Sequence, residues 1–364
     1  MSPSSLKILA VVAAVFIAGS AVFALTNADA AEVPQDTIAA AVESTTTSSS
    51  STTTSSTSTT STTTTTTSTI PAKGTLVIHG TGDVNLDPNY IPALASNGYD
   101  YAWEALDGIF ADDDLTVINL ECAPSDLGDP EPKEFVFRCP TESLASLAPA
   151  GIEVANLGNN HSGDYGKEAL VDGSARLTAA GVASVGAGPD AHEAGAPAVF
   201  DIDGWTVAVV GFGGVVPNPP WVASEDRAGM RDGNDIASMV AAVEAADEVA
   251  DIVVVSIHWG VELDTEPRPE DVERAEAMIE AGADVIFGHH AHRLQPMEMM
   301  NDAAVFWGLG NFVWARHSTS GSTTAIGRAI VHPDGSIEAC FIPAFIENPG
   351  QPVMTGEPPC GPGR

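Results

Sequence analysis

The sequence predicts an α/β fold in which two sheets pack face to face with helices outside them. Three observations carry this. From Thr75 onward, short apolar, β-branched runs recur: "TLVIHG", "LTVINLE", "IEVANLG", "WTVAVVGFGG", "DIVVVSIHWG" and "DVIFGHH". Most are continuous rather than alternating, as expected of strands buried on both faces. Between them lie segments of helical length: 165–181, which ends in a Gly stop signal, and the Ala/Glu-rich 235–250 and 270–282. The C-terminal third then turns strand-rich, with "AVFWGLGNFVW", "AIGRAIVH" and "SIEACFIPA" separated by "PDG" and Gly/Ser turns. No internal repeat is visible.

Taken in order, the chain begins with a targeting segment. "MSPSSLK" supplies one lysine, "ILAVVAAVFIAGSAVFAL" runs 18 residues without a charge, and "ADA" precedes Ala31. The small-x-small triplet fits a cleavage site, and the apolar run is long enough for a membrane anchor. Residues 1–30 are therefore read as a signal peptide or an N-terminal membrane anchor, and the protein as extracytoplasmic. No cysteine lies nearby, which argues against a lipid-attached N-terminus. Residues 44–69 are an unbroken run of Ser and Thr. Such a run buries no apolar surface and does not fold, so 31–74 reads as a disordered stalk, a candidate for O-glycosylation. Residues 75–345 form the expected folded domain, and 346–364 read as a Pro/Gly tail.

The chain carries 14 basic and 49 acidic residues, a formal net charge of −35. The acidity is spread along the sequence. It excludes nucleic acid and anionic membrane surfaces as partners by repulsion, and it requires a local cation wherever an anionic substrate binds. Four cysteines remain, Cys122, Cys139, Cys340 and Cys360. They allow three disulfide connectivities, of which the simplest is local, Cys122–Cys139 and Cys340–Cys360. Each closes a loop of about 20 residues, worth about 3 kcal/mol. The spacings do not suit a zinc module.

Polar residues stand regularly at the predicted strand ends: Asp83 after the first, Glu121 after the second, Asn160 and His161 after the third. His258 ends "VVVSIH", and His289, His290 and His292 follow "VIFG". Open α/β sheets build their sites at strand ends. Singly, each has an ordinary explanation: Asp83 as a turn or cap residue, Glu121 as a solvated strand end, Asn159 or Asn160 as a turn residue, His258 as a satisfied histidine. Together, the Asp, Glu, Asn-His, His and His-x-His strand ends form a metal-ligand inventory. His79, His192, His317 and His332 carry no partner pattern and read as structural or surface residues. Asp164, three residues after His161, either orients that histidine or caps the helix starting near Tyr165.

"GDVNL", "NLE", "NLGNNHSGDYG", "HWGVE", "GHHAHRLQPME" and "GLGNF" resemble the ordered motifs of CapA-type poly-γ-glutamate capsule biosynthesis proteins, within the calcineurin-like metallophosphoesterase superfamily. The likeness covers about residues 75–345. It implies a four-layer α/β/β/α sandwich of the metallophosphoesterase type, with a metal site at the loop end of the strands. Carried over by motif, it implies Asp83, Glu121, Asn160, His258, His290 and His292 as metal ligands, with His289 a substitute for either of the last two. It also implies His161 as the catalytic histidine. Two departures stand out. Asn85 occupies the place of the histidine in the usual Asp-x-His block, and "LDPNY" lacks the Arg that often follows the first Asp. Both imply one strongly held ion and a weaker second. The mixed carboxylate, amide and imidazole ligands suit Mn, Fe or Zn better than Mg.

Three function classes follow. The first is a metal-dependent hydrolase or transferase acting on an anionic cell-surface polymer, such as poly-γ-glutamate, or on a phosphoester. The second is a non-enzymatic surface component of a polymer synthesis or export complex, partnered by membrane polymer-synthesis proteins, with a structural or vestigial metal. The third, by superfamily analogy alone, is a secreted metallophosphoesterase.

Overall fold

The computed structural model describes residues 72–356 and 358–360. The signal or anchor segment and nearly all of the stalk lie outside the described residues. In chain order, β1 (Leu76–Val84), α1 (Pro92–Asn97), β2 (Leu115–Leu120), β3 (Val154–Asn156), α2 (Gly166–Ala179) and β4 (Ala183–Val185) come first. β5 (Ala187–Gly188), α3 (Ala191–Gly195), β6 (Ala198–Ile202), β7 (Trp205–Gly213), β8 (Gly229–Met230) and α4 (Ile236–Asp247) follow. Then come β9 (Ile252–His258), α5 (Pro269–Glu280), β10 (Val285–His289), β11 (Met297–Met300), β12 (Ala303–Phe306) and β13 (Asn311–Val313). The last elements are α6 (Thr319–Ser322), β14 (Thr323–Val331), β15 (Ile337–Asn348) and β16 (Gln351–Met354).

Two main sheets result. The first runs β16-β15-β14-β1-β2-β3-β4, with β13 pairing β1 off the path; the second runs β11-β12-β10-β9-β7-β6. β1, β2, β3 and β4 are mutually parallel, as are β7, β9, β10 and β12, while β14 runs antiparallel to β1, β11 to β12 and β6 to β7. The side-chain period of two assigns each strand to two cores. Along β9, Ile252 and Val254 face the other sheet, joining Leu76, Ile78, Val117, Val154 and Phe287. Val253, Val255 and Ile257 face outward onto Met239 and Val243 of α4 and Ala275 and Met278 of α5. On the far side of the first sheet, Ile118, Leu120 and Ala155 meet Leu170 and Leu177 of α2. Burial on both faces is why these runs are continuously apolar. The architecture is the four-layer α/β/β/α sandwich expected.

The expected helices appear as α2, α4 and α5. The Asp235 side chain caps α4 by accepting from the Ser238 N–H at 3.3 Å. Asp164 does not cap α2, whose N-cap is Tyr165 without a side-chain bond. The edge strands β4, β6 and β11 have too few residues or too much exposure to stand out as apolar runs.

The folded region reaches further than 75–345 at both ends. Lys73 pairs with Asp251 at 2.8 Å, and Gly74 accepts the Trp205 Nε1–H at 2.8 Å, so the end of the presumed stalk packs on the second sheet. Residues 346–354 are not tail: β15 continues to Asn348, with Ile346 fully buried, and β16 pairs back along it. Gly350, at φ 78, makes the tight reversal that the Gly/Pro composition had suggested was a terminus. Cys122–Cys139 and Cys340–Cys360 are both disulfides, with Cα separations of 5.6 and 5.9 Å. Among the described residues, no helix is long and apolar enough to cross a membrane.

Candidate metal centre

The parallel strands of both sheets deliver their C-terminal ends to one place. Asp83 is the second-to-last residue of β1 and is fully buried. The strand passes close to a neighbouring backbone there: a Cβ on Gly82 would lie 2.1 Å from the Gly310 carbonyl oxygen, so only glycine fits. Glu121 follows β2, His258 ends β9, His289 ends β10, and Asn160 and His161 stand four and five residues beyond β3.

These side chains converge. Asp83 Oδ2 lies 3.0 Å from His292 Nδ1, and Asp83 Oδ1 accepts the Asn119 Nδ2–H at 2.8 Å. His258 Nε2 is 2.7 Å from Asn160 Oδ1 and 3.4 Å from Glu121 Oε1. The His258 and His290 rings are 4.8 Å apart. Two triplets have ligand atoms within 4.8 Å of one another: Glu121 with His258 and His290, and Asp83 with Glu121 and His292. Glu121 belongs to both. His289 belongs to neither; its Nε2 faces Ser256 Oγ at 3.0 Å and its Nδ1 stands 3.8 Å from Asp83 Oδ1.

Electrostatics show what this cluster lacks. Glu121 is fully buried and neither of its oxygens accepts a hydrogen bond. Burial, then the neighbouring Asp83 charge, push its carboxyl well above the usual range. Burial is the largest single influence on Asp83 and works against its ionised form, but the His292 hydrogen bond and charge, the His289 charge and the Asn119 hydrogen bond together hold that acid below its ordinary value. Burial pushes the His258 imidazole well down, with His290 adding to the effect, and brings His290 and His289 to about 4. His290 and His258 thus offer neutral imidazole lone pairs beside carboxylates with unused oxygens. Unpaired buried carboxylate oxygens are costly unless a cation meets them, so the donor set fits a divalent ion. The backbone is bent to present it: His290 and His292 have φ of 85° and 51°, costing roughly 1–3 kcal/mol each.

A second cluster flanks the first. His161 Nδ1 is 2.7 Å from Asp164 Oδ2, and Asp164 also accepts the Phe137 N–H at 2.7 Å. Lys133 pairs with Asp164 and donates to the Asn160 carbonyl at 2.7 Å. Burial, only partly opposed by the Asp164 bond and charge, lowers the His161 pKa. Asn159 is the turn residue expected, and more. Its Oδ1 accepts the N–H groups of His161 and Ser162 at 3.0 and 2.9 Å, while its Nδ2 donates to the Leu120 carbonyl at 2.9 Å. Asn85 turns back on its own loop, Oδ1 accepting the Asp87 N–H at 2.8 Å.

Sequence reasoning missed two residues. Asn119, fully buried in β2, donates to Asp83 and stands 3.1 Å from His258 Nδ1, tying the ligands of two sheets together. An Asn inside "LTVINLE" was the available signal. Lys133, in "EPKEF", is delivered by the loop that the Cys122–Cys139 disulfide closes; its acidic neighbours make it read as a surface residue.

The comparisons with known proteins bear on this arrangement. A family model described as "Bacterial capsule synthesis protein PGA_cap" matches residues 77–316. The chain is 34% identical over 183 residues to the "PGA biosynthesis protein CapA" of Bacillus subtilis (strain 168), covering 50% of this chain and 48% of that protein. It is 31% identical over 209 residues to the "Capsule biosynthesis protein CapA" of Bacillus anthracis, covering 57% and 51%. The chain thus spans about half the length of the curated relatives it matches. Among solved structures, the Haemophilus influenzae NAD nucleotidase (NadN) aligns with a TM-score of 0.44 at 13% identity, covering 78% of this chain and 60% of that one. The Thermus thermophilus sulfate thiohydrolase SoxB aligns at 0.41 and 14%, covering 75% and 57%.

Proposed function

The chain belongs to the bacterial capsule synthesis protein family PGA_cap, and from that premise we propose an exported, metal-dependent hydrolase of capsule or poly-γ-glutamate-type polymer synthesis or processing. Its proposed substrate is an anionic cell-surface polymer or a phosphoester. The observation that carries the reading is Glu121, a buried carboxylate shared by two ligand triplets with both oxygens unused. Export rests on the charge-free run 8–25 and the Ser/Thr stalk.

In this reading Glu121, His258, His290 and Asn160 would hold a Mn, Fe or Zn ion, and Asp83, Glu121 and His292 a second, weaker one. A divalent ion held there would supply a nucleophilic water near neutral pH and polarise the oxygen under attack. The chain does the rest. Asp164 fixes the His161 ring through Nδ1, leaving Nε2 to carry the proton to the leaving group. Lys133 balances the charge of Asp164. Phe137, its ring tilted against the His161 ring at 4.4 Å, shields that pair from water.

The test is hydrolysis of poly-γ-glutamate and of bis(p-nitrophenyl) phosphate by the full chain loaded with Mn²⁺. His161→Gln lowers kcat about 10²–10⁴-fold, the span of general acid-base catalysis, with metal content unchanged. Activity that survives both metal removal and this substitution contradicts the reading.

A further inference from the structure

Five aromatic or apolar side chains and one cation form a cleft against the metal centre. Tyr90, Phe137 and Trp314 make one wall, with ring centroids 4.7 to 5.7 Å apart. Trp314 packs 4.9 Å from the His292 ring, so this wall continues into the ligand set. Phe135, 57% exposed, and Leu263, 60% exposed, also line the cleft. The volume is about 250 Å³.

The cation is Arg293, next in sequence to the ligand His292. It is half-buried, and its Nη1 donates to the His292 carbonyl at 2.7 Å. Among the described residues, no carboxylate pairs with it. Glu262 shares the cleft but forms no ion pair with the guanidinium. Three other arginines are neutralised in ion pairs: Arg176 by Asp172, and Arg268 and Arg274 by Asp271. Lys133, the other cation beside the site, is already matched by Asp164. Arg293 therefore brings uncompensated positive charge to the cleft of a protein with net charge −35. Its remaining fork of N–H donors matches a planar or tetrahedral oxyanion bidentately.

We propose that Arg293 is the specificity-determining residue of this cleft, holding an anionic group of the substrate, carboxylate or phosphate, beside the bond that reacts. The apolar body of the same unit lies against Phe135 and Leu263. The assignment rests on the cleft being the substrate site of the proposed hydrolase, and it adds a residue that selects charge in a chain that otherwise repels anions. Steering by one unscreened guanidinium is also salt-sensitive, which gives it a signature.

The test is isothermal titration of the Mn²⁺-loaded full chain with three probes. They are a γ-linked glutamate pentamer, its neutral γ-linked glutamine counterpart, and bis(p-nitrophenyl) phosphate. The wild-type protein binds at least one anionic probe tenfold or more tightly than the neutral peptide, and the favoured anion identifies carboxylate or phosphate as the source. Arg293→Gln lowers that affinity twentyfold or more, Arg293→Lys falls between, and both keep the wild-type metal content. Raising NaCl from 50 to 500 mM weakens the wild-type but not the Arg293→Gln complex. Anion affinity within twofold of wild type in Arg293→Gln, or no anion binding by the wild-type protein, overturns the assignment. Tight, Arg293-dependent binding without turnover instead sinks the hydrolase reading and leaves Arg293 as the anion-selecting residue of a binding cleft.

Discussion

Asn119 ties β2 to the ligands of both sheets: one amide donates to Asp83, faces His258 and accepts from Asn159 at 3.2 Å. Such a residue is legible in a sequence only as an oddity inside an apolar run, because its partners come from segments 36 and 139 residues away. The ligands themselves were more legible, since Asp, Glu and His at successive strand ends make a local pattern that repeats. Arg293 was not: what distinguishes it is the lack of an acid partner, which is a tertiary property. Asp284 gives a prediction at this scale. Burial, with the charge of Asp247, raises its pKa from 3.8 to about 6, although it accepts the Val253 N–H at 2.8 Å. A raised acid binds more protons folded than unfolded, so its contribution to stability is full below pH 4 and is lost as pH rises to about 6. Asp284→Asn keeps the accepting oxygen and removes the charge. Urea titrations should find the variant about 2 kcal/mol more stable than wild type at pH 8 and nearly equal at pH 4. Equal stability at both pH values would show that the Asp284 charge costs the fold nothing.

At the scale of elements, β1, β2, β7, β9 and β10 are legible in the sequence, because burial on two faces makes their runs mostly apolar. β6 and β16 are not, because an edge strand needs only one apolar face. The reversal at Gly350 also looked like a terminus. The loop 122–139 is the element that most directly joins stability to the site. Its disulfide closes a separation of 17 residues, and within that span lie Lys133, Phe135 and Phe137. Replacing Cys122 and Cys139 together by Ala should lower unfolding free energy by about 3 kcal/mol, and kcat should fall as Lys133 and Phe137 lose their fixed positions beside His161 and Asp164. Replacing Cys340 and Cys360 together opens a similar loop, with a separation of 20, whose span holds none of the candidate metal ligands. That pair should cost comparable stability and leave kcat unchanged. Equal loss of kcat in both double variants contradicts the positioning role of the first loop.

At the scale of the whole molecule, the two sheets are arranged so that neither alone holds a complete ion site. β1 and β2 bring Asp83 and Glu121; β9, β10 and the turn after it bring His258, His290 and His292. Packing the apolar faces between the sheets assembles the ligands, and the like charges and desolvated imidazoles gathered there work against that packing until a cation joins them. The fold class could be anticipated because it depends on patterns spread over the chain. The pairing of ligands into triplets could not, because it depends on how the two sheets meet. The central claim is that Glu121 is shared between a stronger and a weaker ion position. It is tested most directly by calorimetric titration of Mn²⁺ into the metal-stripped full chain. The wild-type protein should take up two ions in separable steps, His292→Ala should lose only the weaker step, and Glu121→Ala should lose both. A Glu121→Ala protein that still binds two ions, or a wild-type protein that binds none, would contradict the account.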